Sequence, residues 1–441
     1  MQALTSGRPI RGIVRVRVLR RRRRWPCWVV PLLLSGCMFQ RLERDLTQAR
    51  EYAVLRGSVR TEHPTDLPIL VLVYTGAVGR EHLVDYFVMA GPGRYYFLVP
   101  AGTYRLAAFL DVNRDFTYQP GMDPSALLSA GEPVRLLGAT TRDDLDIEVR
   151  DSSREHIPFA FSSADGEGNG EGSRSDLRFV GAVTRMDDPR FSDDNARRGL
   201  WQPVEFVRQV GAGVYFLEPY DPKKIPVLFV HGALGHPGNF AAVVAALDRG
   251  RFQPWLAYYP TAPRLDTTAM ALDRWMEQLY VRYRYRRLAV VAHSMGGLVV
   301  RSFINRVVAA RDGRAEGLCL FFSVSTPWDG SELAQHAVDL APVVAPSWYD
   351  MAPRSPFLRS LLEPELPPSL PFDLLYSYGG NSRLMYSEPN DGSVAVASQL
   401  FPRARSRART VRGFKESHTS ILGNVDLAAQ LNEELATLAA E

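Results

Sequence analysis

Leu288-Ala-Val-Val-Ala-His293-Ser294-Met295-Gly296-Gly297-Leu298 joins an apolar run of strand type to an amphipathic run of helical type, through one serine with small residues two places to either side. Strand, tight turn and helix in that order are the setting of a nucleophile elbow. The reason is steric. A serine held at such a turn takes a sparsely populated backbone conformation, and side chains larger than those of Ala292 and Gly296 would strike neighbouring backbone. The Ser294 hydroxyl then projects above the sheet edge. The helix starting behind it aims the Met295 N–H and the positive end of its dipole at any oxyanion that forms. By itself the hexapeptide 292–297 also fits a plain turn before an ordinary helix, so the flanking chain has to decide.

Segments of strand and helix type alternate around it, which predicts an α/β fold, a mostly parallel sheet with helices on both faces, over residues 177–441. Ile225-Pro-Val-Leu-Phe-Val-His231 reads as a strand buried on both faces. Helix 237–249, strand 252–259 and helix 267–283 lead to the elbow; helix 298–310, strands 318–324, 372–378 and 410–414 and a closing helix from 424 follow it. The first strand runs into His231-Gly232-Ala233-Leu234-Gly235, where glycines let backbone N–H groups turn toward the site, and His231 is expected to hold that loop by hydrogen bonds. The HGxxG and AHSMGG pair, with Ser323-Val-Ser-Thr-Pro-Trp-Asp-Gly-Ser331 after the next strand, resembles bacterial lipases and esterases of the α/β-hydrolase fold over about residues 210–440. The resemblance implies Ala233 and Met295 as the two oxyanion donors, with His231, Gly232 and Gly235 supporting their loop; Ala292 stands where the usual motif has Gly.

In this fold an acid and then a histidine follow the serine. Two histidines lie beyond Ser294. His336 falls in a cap-like segment with no acid-bearing strand before it. His418, in Glu416-Ser-His-Thr-Ser420, sits between the last strand and the last helix, where the fold carries its base. Asp391, in Pro389-Asn-Asp-Gly-Ser-Val394, follows strand 372–378 and is expected as the acid, with Asp329 and Asp350 as competitors. Such a carboxylate orients the imidazole and stabilises its protonated form. His293 is expected to pack beside the sheet. Residues 332–371 form a long insertion bearing Trp348, Tyr349, Met351, Phe357, Leu358, Leu361 and Leu362, expected as a lid or a static cap with an apolar acyl pocket.

Residues 51–150 read as a small all-β sandwich, with strands at 52–59, 69–75, 94–99, 103–111 and 145–149. The pattern Pro92-Gly-Arg-Tyr-Tyr-Phe-Leu-Val-Pro-Ala-Gly-Thr-Tyr-Arg-Leu106 resembles the prealbumin-like or carboxypeptidase-regulatory-like sandwiches attached to secreted bacterial enzymes. Asp111-Val-Asn113-Arg-Asp115 spaces oxygen ligands as calcium loops do but lacks their Gly and Glu, so a solvated turn closed by Asx bonds is expected. The segment 151–176, Gly-rich and nearly free of apolar residues from 162 to 175, reads as a flexible linker. After it, 177–209 is expected to wrap the α/β domain, anchored by Trp201 and Phe206.

The composition of the 441 residues, 46% hydrophobic and 23% charged, is that of globular protein. The net charge of +4 comes from the start of the chain. Residues 1–36 hold nine Arg and no acid, and without them 43 basic face 48 acidic residues, a net −5. Nothing basic is left to suggest nucleic acid. Arg20 to Arg24, the ten-residue apolar stretch 25–34 and Leu34-Ser-Gly-Cys37 read as a secretory signal and resemble the lipobox of bacterial lipoproteins. The resemblance implies lipid on Cys37, a tether over 37–50, and, from Met38, sorting to the outer membrane of a bacterial envelope. Cys27 lies in the leader and Cys319 in an apolar strand, so neither a disulfide framework nor a structural metal site is expected.

Together these readings predict a membrane-tethered serine hydrolase of lipid or other acyl esters, needing no cofactor, with Ser294, Asp391 and His418 as its triad. The same triad serves acyl transfer or the cleavage of a thioester or amide. A non-catalytic binding or assembly lipoprotein, with the sandwich as its working part and its partner unknown, is the alternative of another class.

Overall fold

The α/β region is built on one sheet whose strands are β1 (Ala182–Val183), β2 (Gly213–Phe216), β3 (Ile225–Val230), β4 (Phe252–Tyr258), β5 (Leu288–His293), β6 (Leu318–Val324), β7 (Phe372–Ser377) and β8 (Thr410–Phe414). Their spatial order is β1-β2-β4-β3-β5-β6-β7-β8. Neighbours run parallel except β2 against β4. This is an α/β-hydrolase sheet, seen in a computed structural model that describes residues 29–138, 140–163, 179–380 and 388–439. Val227 to Val230 and Ala289 to Ala292 are almost wholly buried, because helices such as Leu265–Tyr283 and Met295–Ala310 cover the sheet. That is why these strands read as continuous apolar runs and not as alternating ones.

The helix expected over 237–249 is shorter, a 3-10 turn at Pro237–Phe240 and one helix at Ala241–Ala245. Within 177–209, residues from 179 hold β1 and two helices, Asp193–Trp201, capped by Ser192, and Pro203–Gln209, opened by Pro203. Phe206 is fully buried, as an anchor should be. Trp201 instead sits edge-on between the rings of Phe39 and Trp348.

The sandwich packs two sheets. One joins Gly93–Pro100, Tyr52–Thr61, Thr141–Arg142 and Ile147–Val149; the other joins His82–Met89, Ile69–Thr75, Gly102–Leu110, Ser125–Leu127 and Val134–Leu136. Ile69, Val71 and Val73 face the sandwich core, whereas Leu70, Leu72 and Tyr74 join the core of the α/β region. One strand is thus apolar on both faces because it has a domain on each. Buried polar groups fix this junction: Arg274 donates to both Asp85 oxygens at 2.9 Å, and Tyr96 Oη donates to the Met270 carbonyl at 3.1 Å. The turn at Asp111–Asp115 is closed by Asx-type bonds, the Asp111 carboxylate accepting from the N–H groups of Asp115 and Phe116. As expected the turn is solvated, its residues 112–115 being exposed, although the Asp111 carboxylate that closes it is itself fully buried.

The chain divides at Met38 into two compact units, Met1–Met38 and Phe39–Glu441. A helix, Val29–Ala49, spans that point. Of the expected leader, 1–28 lies outside the described residues, and Cys37 is exposed. From Phe39 onward the expected tether is not loose chain. Leu42 is fully buried with Leu200, Ala262 and Ala345, and the Asp45 carboxylate accepts from the Val204 N–H at 2.6 Å. Phe39, Leu42 and Leu46 recur at helical spacing, which gives this segment an apolar stripe to bury. Of the expected linker, 164–176 lies outside the described residues, while Ile157 and Phe161 before it are buried in the core. Among the described residues no helix is long and apolar enough to cross a membrane. Cys319 packs in the core as a small hydrophobe.

Candidate active site

Ser294 follows β5 with φ 55° and ψ −130°, a conformation that a non-glycine residue holds only when its surroundings enforce it. Its N–H donates to the Val324 carbonyl at the end of β6 at 2.8 Å. Two glycines make room. A Cβ at Gly296 would lie 2.4 Å from the Val230 carbonyl oxygen, and one at Gly232 would lie 2.7 Å from Ser294 Cβ. The small residues of the motif are therefore steric requirements of the turn, and Ala292, fully buried, fits it.

Three distant side chains meet here. His418 Nε2 is 2.8 Å from Ser294 Oγ, and His418 Nδ1 is 2.7 Å from Asp391 Oδ2. All three lie beyond the carboxyl ends of their strands, Ser294 after β5, Asp391 after β7 and His418 after β8. The His418 backbone is also fixed: its N–H donates to the Asp391 carbonyl at 2.8 Å, and His293 Nε2 lies 2.7 Å from its carbonyl oxygen. His293, packed as expected, thus holds the base from behind. Burial pushes the His293 imidazole down to about 3, which keeps it neutral.

Asp391 is fully buried. Its Oδ1 accepts from the Ser393 and Val394 N–H groups at 2.9 and 2.7 Å. Its Oδ2 accepts from His418 Nδ1, from Ser377 Oγ at 2.7 Å and from Gln399 Nε2 at 3.1 Å. Burial works to raise this carboxyl, but the bonds from His418, Ser377 and the Ser393 amide outweigh it and hold it below the ordinary carboxylate range. With Asp391 ionised, the imidazole proton resides on Nδ1. Nε2 is then an acceptor for the Ser294 hydroxyl.

The loop after β3 faces the elbow. His231 Nδ1 lies 2.9 Å from the Gly232 carbonyl, its ring stacks on Tyr259 at 4.2 Å, and Tyr259 Oη donates to the His231 carbonyl. Burial pushes the His231 imidazole down to about 3, so it serves as a neutral strut. The Gly235 N–H closes the loop on the Gly232 carbonyl at 3.1 Å, and the Leu234 N–H turns to Thr261 Oγ1. Leu234 has φ 54°. No protein acceptor among the described residues takes the amide hydrogens of Ala233 or Met295.

Of the competing acids, Asp350 is occupied elsewhere. Asp350 pairs with Arg264 at 2.7 Å and accepts from the Leu265 N–H at 2.8 Å. His336 is exposed on the cap helix Glu332–Leu340. The cap also departs from expectation. Met351, Leu358 and Leu361 are spent on the central core, and Trp348 packs against it. Tyr349 is partly exposed, with Arg264 over its ring. The cap is pinned by the Asp350 contacts and by Ser347 N–H to the Ala262 carbonyl. Sequence reading missed Ser377 and Gln399, whose buried bonds to Asp391 leave no local pattern. An exposed trio, Glu62, His63 and Asp151, could share an ion, yet such surface groupings are common without one.

Residues 261–349 match the family described as "Putative serine esterase (DUF676)". The matched segment, a fifth of the chain, contains Ser294 and stops before Asp391 and His418. No curated protein matches the chain. Similar solved structures include the mature form of the lipase BlEst2 from Bacillus licheniformis, 18% identical, covering 50% of this chain and 97% of that one with a TM-score of 0.41. Lipase B of Aspergillus fumigatus is 15% identical, with coverages of 51% and 56% and a TM-score of 0.39. Phospholipase PlaB of Legionella pneumophila is 19% identical, with coverages of 40% and 45% and a TM-score of 0.34. Likenesses this distant carry no weight on substrate. On strand order and elbow geometry the chain has an α/β-hydrolase domain, and its elbow segment is similar to serine esterases.

Proposed function

We propose that this protein is a serine hydrolase that cleaves carboxylic esters, lipid or other acyl esters by preference, through a Ser294-His418-Asp391 triad. The observation that carries the reading is one imidazole bridging the Ser294 hydroxyl at 2.8 Å and a buried carboxylate at 2.7 Å. His418 Nε2 takes the hydroxyl proton as Ser294 Oγ attacks the acyl carbon. The oxyanion that forms faces the free amides of Met295 and Ala233, the first at the start of helix Met295–Ala310. His418 then delivers its proton to the leaving alkoxide, and an acyl-serine remains. Water, deprotonated by the same imidazole, releases the acid and restores Ser294. Asp391 keeps the second ring nitrogen protonated throughout.

We further propose that Cys37 carries lipid and that the protein works at a membrane of the bacterial envelope, where acyl esters are concentrated. The exposure of Cys37 is compatible with this. A panel of p-nitrophenyl esters of increasing acyl length, followed by phospholipids, tests the activity. The reading expects turnover that vanishes in Ser294→Ala; a folded wild-type protein that leaves every ester and phospholipid intact would favour a binding lipoprotein instead.

A further inference from the structure

Away from the triad, the side chain of Arg301 leaves the elbow helix into a cavity of about 220 Å³ between the end of the cap and helix Pro402–Arg405 with the residues just after it. Arg301 is 3% exposed, yet no carboxylate among the described residues pairs with it. Its guanidinium is held by neutral acceptors alone, Asn305 Oδ1 and the Pro364 carbonyl. A buried cation without a counter-charge is costly, and proteins seldom leave one so. Two more guanidiniums, those of Arg403 and Arg407, line the same cavity. Arg407 is near enough that its charge, after burial itself, helps pull Arg301 down to about 10. Like charges gathered around a hollow add to the deficit of negative charge.

A second observation is independent of charge. Trp328 lines this cavity at 1% exposure, and its indole N–H finds no acceptor. Buried donors are normally satisfied, so an orphaned one beside a hollow points to an acceptor brought from outside. The opposing groups are Glu363 and Glu365. Glu365 already pairs with Arg407 on the solvent side, where its own side chain is 71% exposed. Three cations against two rim carboxylates leave an excess of one positive charge beside an unsatisfied indole donor.

We propose that this cavity is a binding site for a phosphate-type oxyanion, held by Arg301, Arg403, Arg407 and the Trp328 indole N–H. Guanidinium forks match a tetrahedral oxyanion in geometry as well as charge. The bound anion ties the cap to the elbow helix, because Arg301 belongs to one and the cavity wall at Leu362 and Leu366 to the other. The site makes no use of Ser294, so it stands or falls separately from the esterase reading.

The test follows the thermal midpoint of the purified full chain carrying Ser294→Ala in rising inorganic phosphate, at constant ionic strength set with sodium chloride. A saturable upward shift is expected. It should require about tenfold more phosphate in Arg407→Gln and in Arg403→Gln, and vanish in Arg301→Met, which without phosphate should be as stable as the parent because it removes an unpaired buried charge. Vesicles of phosphatidylcholine with and without phosphatidic acid separate the sources. Capture by phosphatidic acid that free phosphate displaces and Arg403→Gln weakens assigns a lipid headgroup; a phosphate shift that these vesicles do not affect assigns a soluble ligand. No phosphate-specific shift, or the same shift in all three variants, would overturn the proposal.

Discussion

Replacing Asp391 by Asn tests the triad at its least replaceable atom. Oδ1 accepts two backbone N–H groups, from Ser393 and Val394, while Oδ2 accepts from His418, Ser377 and Gln399. An asparagine has one oxygen for these five donors. Keeping it at the Oδ1 position satisfies both rigid backbone amides and leaves the NH₂ pointing at His418 Nδ1. Ser377 can rotate its hydroxyl to accept, but Gln399 cannot turn over without losing its bond from the Ser377 N–H at 3.0 Å. His418 must then accept at Nδ1 and carry its proton on Nε2, facing Ser294, where it can no longer take the hydroxyl proton. A wrong tautomer of this kind costs about 10⁴-fold in kcat, or about 5.4 kcal/mol of barrier. The assay is kcat/KM on a soluble p-nitrophenyl ester, with the melting profile as control for folding. A folded Asp391→Asn protein within tenfold of wild type would refute the assignment of this carboxylate.

Further outcomes follow from the same contacts. His231 and His293 are both neutral in the fold down to about pH 3, whereas in the unfolded chain they take protons near pH 6.5; from there down to pH 3 each costs about 1.4 kcal/mol of stability per pH unit. Glu277 works the other way. Burial pushes its carboxyl up to about 7, so it adds stability that is fully present below its unfolded value and lost as pH rises through about 7. Urea melts at pH 7 and 5 should therefore show a steeper acid loss in Glu277→Gln than in wild type, and parallel profiles would count against these burial effects. Arg274→Met strands the buried Asp85 carboxylate and should cost about 3–5 kcal/mol in a denaturant titration, much of it regained in the Arg274→Met, Asp85→Leu pair. Palmitate label in growing cells should attach to the wild-type chain and not to Cys37→Ala; equal labelling of both would remove the proposed anchor.

The elbow was legible because its constraints are local: Ala292, Gly296 and the flanking runs lie within a few residues of Ser294. His418 and Asp391 were legible because this sheet fixes the chain order in which strand ends reach the site. What escaped reading depends on partners far along the chain. Strand His82–Met89 carries Asp85 at its centre, which looks out of place until Arg274, 189 residues on, is seen beside it. Ser377 and Gln399 matter because of where folding brings them, beneath Asp391. The cap residues looked free for an acyl chain, yet packing on the core absorbs most of them. Phe39, Leu42 and Leu46 did carry a helical stripe, but the adjoining leader drew the reading toward a tether.

A fluorophosphonate reacts only with a serine made nucleophilic by its surroundings, so intact-mass analysis of the labelled protein asks whether Ser294 is that serine. One adduct per chain is expected, located on Ser294, absent from Ser294→Ala and strongly slowed in His418→Ala. A folded protein that takes up no label, or takes it up equally without Ser294, would contradict it.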